Sequence, residues 1–154
     1  MTSLHKKEQG FTIVELLIVI VVIGILAALV ITTFNGIQQK GRDTERQTDI
    51  KALHGQLEAY YAQNGRYPTL ANVNDTTFRT TNMKGLDSAA LKDPKGSAEE
   101  LKAATTTNFY VYTVSPSACD NTTTDCTGYV LSAKLEGKID NLDTYTKNSL
   151  NTGN

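Results

Sequence analysis

Histidine occurs only twice in the 154 residues, at His5 and His54. Neither has the neighbouring thiol or recurring carboxylate that a zinc site or a nucleophilic triad requires. No glycine-rich phosphate loop and no CxxC redox pair are present. No catalytic residue, metal ligand set or cofactor is therefore expected, and the chain reads as a non-enzyme. Charge of either sign is not in excess: 15 Lys and Arg face 16 Asp and Glu, for a net charge of −1. Losing Lys6, Lys7 and Glu8 would move this only to −2. A strongly basic nucleic-acid binder is excluded on electrostatic grounds, and nucleic acid is not indicated as a partner.

Charge is scarcest from Phe11 to Ile31, where Glu15 is the only ionisable side chain. As a helix this run would span roughly 32 Å, the thickness of a bilayer's hydrocarbon core, and it reads as a membrane segment. Composition alone conceals it, because the 40% hydrophobic content is that of an ordinary soluble chain. The aliphatic density is concentrated in this one block, and after Asn35 the sequence is rich in Thr, Asn, Asp and Lys. About 120 residues remain to build one small core. A cleaved secretory signal would have a shorter apolar region followed by small residues, whereas Ala27 and Ala28 lie inside the run. A plain signal anchor fits the length and leaves Glu15 unexplained, since a carboxylate in a membrane helix normally has a partner.

The two cysteines, Cys119 and Cys126, bracket a polar loop, CDNTTTDC. An even pair of this kind in an exported chain is expected to form a disulfide.

KKEQG followed by FTIVELLIVIVVIGILAAL resembles the class III signal and N-terminal helix of type IV pilins and of the pseudopilins of type II secretion and competence systems. The charged leader, the glycine before Phe11, Thr12, Glu15 and Gly24 all fall where that family has them. The resemblance implies cleavage between Gly10 and Phe11 by a membrane-embedded prepilin peptidase on the cytoplasmic side, and methylation of Phe11. A glycine suits that site because its backbone can enter a crowded active site in conformations closed to other residues. Cleavage exposes an amine on Phe11, and the resemblance implies that Glu15 of one subunit meets the Phe11 ammonium of its neighbour in a filament. Desolvation offsets much of that attraction, so its expected benefit is register. A carboxylate reaching toward water at the membrane edge is the alternative. Lys6 and Lys7 before the run are matched by Lys40, Arg42 and Arg46 after it, so basic flanks do not set orientation. The resemblance and the cysteines imply a cytoplasmic leader and an external C-terminal part.

Beyond the membrane run the helix is expected to continue, with an apolar stripe at Ile50, Leu53, Leu57, Tyr60 and Tyr61 to seat a globular head. Asp43, Arg46 and Asp49 read as charge pairs on a solvated face. Asn64-Gly65 should end the helix and Pro68 prevent its resumption. LEAYYAQNGRYPT extends the resemblance, and Tyr67 is expected to pack on the core. Many family members carry a proline near the position of Thr32. Its absence here, with the β-branched run from Val30 to Thr33 and with Gly36 and Gly41, suggests residues 32–41 as the place where the helix loosens on assembly.

Residues 70–107 read as a variable connection with a short helix over 97–104, capped by Ser97. Strands are expected over 109–114 and 129–135, with a third within 141–148 and a soft tail from Leu150. Asp120, Asp125, Asp140 and Asp143 could offer oxygens to calcium, which some pseudopilins hold, but without ordered ligand spacing they read as solvated turn carboxylates.

The expected fold is α+β, a long N-terminal helix packed on a small antiparallel sheet. Its parts are a leader (1–10), a transmembrane assembly segment (11–34), an amphipathic continuation (35–64) and a head (65–154). The expected role is that of a pilin, held in the cytoplasmic membrane and then polymerised with copies of itself into a surface type IV pilus. Prepilin peptidase acts directly, and an assembly platform protein and ATPase act indirectly. A major pseudopilin of a secretion or DNA-uptake apparatus is the alternative. A low-copy adhesin or receptor using the loop around Asp120 to Asp125 is a third reading.

Overall fold

Leucine, isoleucine, valine and alanine without an interrupting proline favour a single long helix, and α1 runs Ile13–Asn64. The computed structural model describes residues 10–104 and 107–151; the leader residues 1–9, including Lys6 and Lys7, lie outside it, as do the last three residues of the expected tail. Contacts divide the chain between Gln38 and Gln39. In the first part apolar side chains cover every face of the helix and all are exposed, from Ile13 at 85% to Ile37 at 64%. A helix that is apolar all round needs lipid or other protein about it.

In the second part the expected stripe becomes the core: Ile50, Leu53 and Leu57 are fully buried and Tyr60 nearly so, with Tyr61 packed at the margin. The helix ends as its sequence predicts. Gly65 adopts a left-handed φ of 69° and its N–H reaches Tyr61 O at 2.7 Å, a conformation glycine takes without a Cβ penalty. Tyr67 is fully buried.

The connection differs from expectation. It holds α2, Leu70–Asn74, α3, Thr76–Asn82, and a 3-10 turn, Ser88–Leu91. Each begins at a side-chain cap: Thr69 accepts from Asn72 N–H, Asp75 from Phe78 N–H and Asp87 from Ala89 N–H. The helix expected over 97–104 does not form. Leu101–Lys102 is instead the short strand β1. Leu101 is buried and paired with Tyr110, while the Asn74 amide closes both of its backbone groups, at 2.8 and 3.0 Å. Tertiary pairing thus overrides local helix propensity.

The other strands are β2, Tyr110–Ser115, β3, Gly128–Ile139, and β4, Leu142–Asn148. The sheet order is β1-β2-β3-β4. β3 pairs antiparallel with both neighbours, but β1 lies parallel to β2, so the sheet is mixed rather than wholly antiparallel. Tyr110, Tyr112, Tyr129, Leu131, Ala133 and Leu135 alternate onto the buried face.

Candidate functional site

The N-terminal segment carries every residue expected to act in processing and assembly apart from the cysteines. Gly10 and Phe11 precede the helix, and Phe11 is 88% exposed. Thr12 and Glu15 stand three apart at the helix start and form a reciprocal cap. Glu15 Oε2 accepts from Thr12 N–H at 2.9 Å and from its hydroxyl at 2.7 Å, while Thr12 Oγ1 accepts from Glu15 N–H at 3.3 Å. Two otherwise unpaired amides are satisfied this way, and the carboxylate sits where a helix favours negative charge. Glu15 therefore has a partner within its own helix. Among the described residues both contacts to the carboxylate fall on Oε2.

In the second part of α1, two of the three residues expected on a solvated face, Asp43 and Arg46, are buried, and Asp49 is half-buried. Arg46 is 2% exposed and lies in a bidentate pair with Asp93 at 2.7 and 3.0 Å. Its remaining nitrogen reaches Asp43 at 2.8 Å and Glu136 at 3.0 Å. Arg42 makes a second bidentate pair with Glu136, both bonds 2.6 Å, and Lys95 adds a third cation at 2.9 Å. Asp43 accepts the backbone N–H groups of Glu136 and Gly137 at 2.9 and 2.8 Å. Three acids and three bases thus join α1 to β3 and to the segment around Asp93. Hydrogen bonding from Arg42 holds the Glu136 carboxyl far below the usual range, and bonding to Asp93 raises Arg46 further. Asp49 differs: desolvation pushes its carboxyl up to about 6, although the Tyr110 hydroxyl donates to it at 2.7 Å.

The cysteines are joined, with Cα atoms 5.1 Å apart. Their loop braces the end of α1. Asn121 donates to Tyr67 O at 2.7 Å and accepts from Cys126 N–H at 2.8 Å, while Tyr67 N–H donates to Cys126 O at 2.8 Å. Asp120 accepts the N–H groups of Thr122, Thr123 and Thr124 and the hydroxyls of the first two, which drives its carboxyl well below the normal range. Asp125 pairs with Arg66 at 3.1 Å. The acidic side chains considered for calcium are thus engaged locally or spread along a hairpin. Among the described residues no three potential ligands converge. His54 packs on the head, its Nδ1 2.6 Å from the Tyr129 hydroxyl, which also reaches Glu58 at 2.9 Å.

The prokaryotic N-terminal methylation motif matches residues 5–31. Along most of its length the chain is similar to the type II secretion system core protein G of Escherichia coli (strain K12), with 33% identity over 105 residues, 68% of this chain and 71% of that protein. The chain belongs to the type IV pilin and type II secretion pseudopilin family. It is also similar to the type II secretion system core protein G of Dickeya chrysanthemi, 39% identical over 66 residues and 43% of each chain. The type IV major pilin protein PilA of Myxococcus xanthus (strain DK1622) is 37% identical over 68 residues, 44% of this chain and 31% of that one. The matches to these last two span less than half of either relative. No solved structure is significantly similar. The exposed apolar helix at the N-terminus is long and apolar enough to cross a membrane, as an anchor of this family would.

Sequence reading did not anticipate the Arg46 cluster. Its signal was present in the spacing of Arg42, Asp43 and Arg46, but burial depended on Asp93 and Glu136, far away in sequence. Nor did it anticipate the Thr12 and Glu15 cap, whose signal was a threonine followed three residues later by glutamate.

Proposed function

We propose that this chain is a structural filament subunit, cut between Gly10 and Phe11, methylated on Phe11 and assembled by exchanging lipid around its apolar helix for neighbouring copies. The observation that carries the reading is the joint one of a methylation motif over residues 5–31 and a helix whose apolar side chains are exposed on all faces. Leaving the bilayer is feasible because the filament core is another apolar environment, where packing replaces lipid contact. Its partners are further copies, prepilin peptidase and, indirectly, a platform protein and ATPase.

Of the two filament types, the secretion-type pseudopilus is the better supported. The similarity to the E. coli core protein G runs through 68% of the chain, whereas that to the Myxococcus pilin covers 44%. A surface type IV pilus is the second reading, which the pilin similarity favours.

Intact-mass and N-terminal peptide analysis of surface-sheared and membrane fractions tests both. Chain beginning at N-methylated Phe11 is expected, held mainly with the envelope for a pseudopilus and abundant in the sheared fraction for a pilus. A chain still starting at Met1 overturns the processing reading. Gly10→Val is expected to leave the protein at its precursor size; normal maturation of that variant contradicts the assigned bond.

A further inference from the structure

We propose that the free edge of β4 is a self-pairing surface, by which the heads of two copies join strand to strand, antiparallel, about a two-fold axis at Tyr145. β4 is the last strand of the sheet and has a hydrogen-bonded neighbour on one side only. The other terminal strand, β1, is the two residues Leu101–Lys102, whereas β4 runs Leu142–Asn148 without a proline. A long edge of that kind is a template for a further strand. The shift in register near the hairpin turn takes its extra residues on β3, so β4 itself is continuous. The backbone groups that β4 offers follow from its alignment. Ser149 N–H donates to Tyr129 O at 3.0 Å, in line with the pairing of Val130 and Asn148. Opposed residues of an antiparallel pair alternate between exchanging both hydrogen bonds and exchanging none. Lys147 and Tyr145 therefore bond to Leu131 and Ala133, while Thr144, Thr146 and Asn148 turn their N–H and C=O groups to the free edge. Among the described residues nothing is bonded to them there.

The strand is complementary to itself. With the axis at Tyr145, Thr144 exchanges backbone hydrogen bonds with Thr146 of the second copy, and Thr146 with Thr144. The same register sets Asp143 opposite Lys147 of the second copy on both sides of the axis. Moving the axis by one residue separates both charge pairs, and centring it on Asp143 or on Lys147 opposes like charges. Opposite charges across an antiparallel pair favour it and like charges disfavour it, so the charges select one register. Asp143 is exposed and accepts the neighbouring Thr144 hydroxyl at 3.1 Å, and Lys147 is half-buried. Neither joins an ion pair among the described residues. Tyr145 stands opposite the buried Ala133 and packs partly buried against the core. At the axis it meets its own copy, and the apolar face of one sheet continues into the next. An extended segment of another protein would receive the same edge hydrogen bonds but not the doubled charge match, which a strand obtains from its own copy. A two-fold contact closes at two copies, so it is separate from the open filament contact and needs nothing from the apolar helix.

Both cysteines are joined to each other, so introduced thiols report cleanly. Full-length Asp143→Cys and full-length Lys147→Cys are purified in detergent, mixed and mildly oxidised. Opposed residues that share no backbone hydrogen bond lie close enough for a disulfide, and the mixed dimer should exceed either self-dimer by about tenfold. One unaltered pair of Asp143 and Lys147 survives in that mixed dimer. Thr146→Pro, added to both chains, removes an N–H that the β3 ladder does not use, and should lower the mixed dimer at least about fivefold with little change in head melting. Charge provides a second measurement that does not depend on proline being tolerated. Asp143→Lys in the Lys147→Cys chain should lower the yield, and Lys147→Asp in its Asp143→Cys mate should restore it. Absence of any dimer, equal yields of mixed and self-dimers, indifference to Thr146→Pro or failure of the charge exchange to restore the cross-link each overturn the pairing. A cross-link to another envelope protein in producing cells, with none between copies, gives the edge to a foreign strand and overturns it too. The chain is read before assembly, so the filament reading stands or falls separately.

Discussion

Asp43, Arg46 and Asp49 occupy neighbouring turns of α1 yet have opposite energetic characters. Asp43 and Arg46 are compensated charges, and Arg46→Met would strand Asp43 and Asp93 in a buried setting at a cost of about 3–5 kcal/mol. Thermal unfolding of the variant should show that loss as a large drop in Tm. Asp49 is the reverse case. Its carboxyl sits at about 6 against 3.8 for an ordinary aspartate, because desolvation outweighs the Tyr110 hydrogen bond. The folded state therefore holds the proton more tightly than the unfolded state. Its contribution to stability is largest below about pH 4 and is lost as pH rises through about 6. Glu136 has the opposite shift, so its contribution persists through mildly acidic solution and fails only in strong acid. Asp49→Asn keeps an acceptor for Tyr110 and removes the charge. It should raise stability at pH 7 by roughly 1–2 kcal/mol and flatten the change between pH 4 and 6. Urea unfolding at several pH values checks this, and a variant less stable at pH 7 would show that the ionised carboxylate is favourable there.

At the scale of elements, strength comes from tying the end of α1 to the cysteine loop. Replacing both Cys119 and Cys126 by serine should cost about 2–3 kcal/mol by freeing the short loop in the unfolded chain and releasing Tyr67 from Cys126. Thermal melts of the oxidised protein and the double variant measure it. The long helix, its end at Gly65, β2, β3 and β4 were legible because periodicity, turn residues and β-branching all pointed one way. Residues 97–104 were not, since their helix-forming composition competes with Asn74 and Tyr110, partners that sequence spacing does not reveal. α2 and α3 are short, and their signals were the caps Thr69 and Asp75 rather than any apolar stripe. The buried cluster was misread for a related reason. Charges three or four apart on a helix imply solvent until distant partners of opposite sign are known to meet them.

On the scale of the whole molecule, Glu15 is the residue at which the helix cap and the proposed filament contact meet, and the two roles can be separated. As a cap it needs an acceptor for the Thr12 N–H and hydroxyl, which a glutamine oxygen also supplies. As a counterion to the Phe11 amine of a neighbouring copy it needs its charge. Glu15→Gln retains the first property and loses the second, whereas Glu15→Ala loses both. Neither change touches the core residues, so head melting should stay within about 0.5 kcal/mol of the parent. If the intersubunit pair sets register, Glu15→Gln should fail to assemble as completely as Glu15→Ala, while both are still cleaved after Gly10. Filaments of normal subunit spacing from Glu15→Gln, with none from Glu15→Ala, would assign Glu15 to the helix cap alone. The cap itself is tested by Thr12→Val, which removes the hydroxyl and keeps the charge. Its filaments should retain the parent spacing if charge decides register, and counting particles and measuring subunit rise by electron microscopy distinguishes the cases.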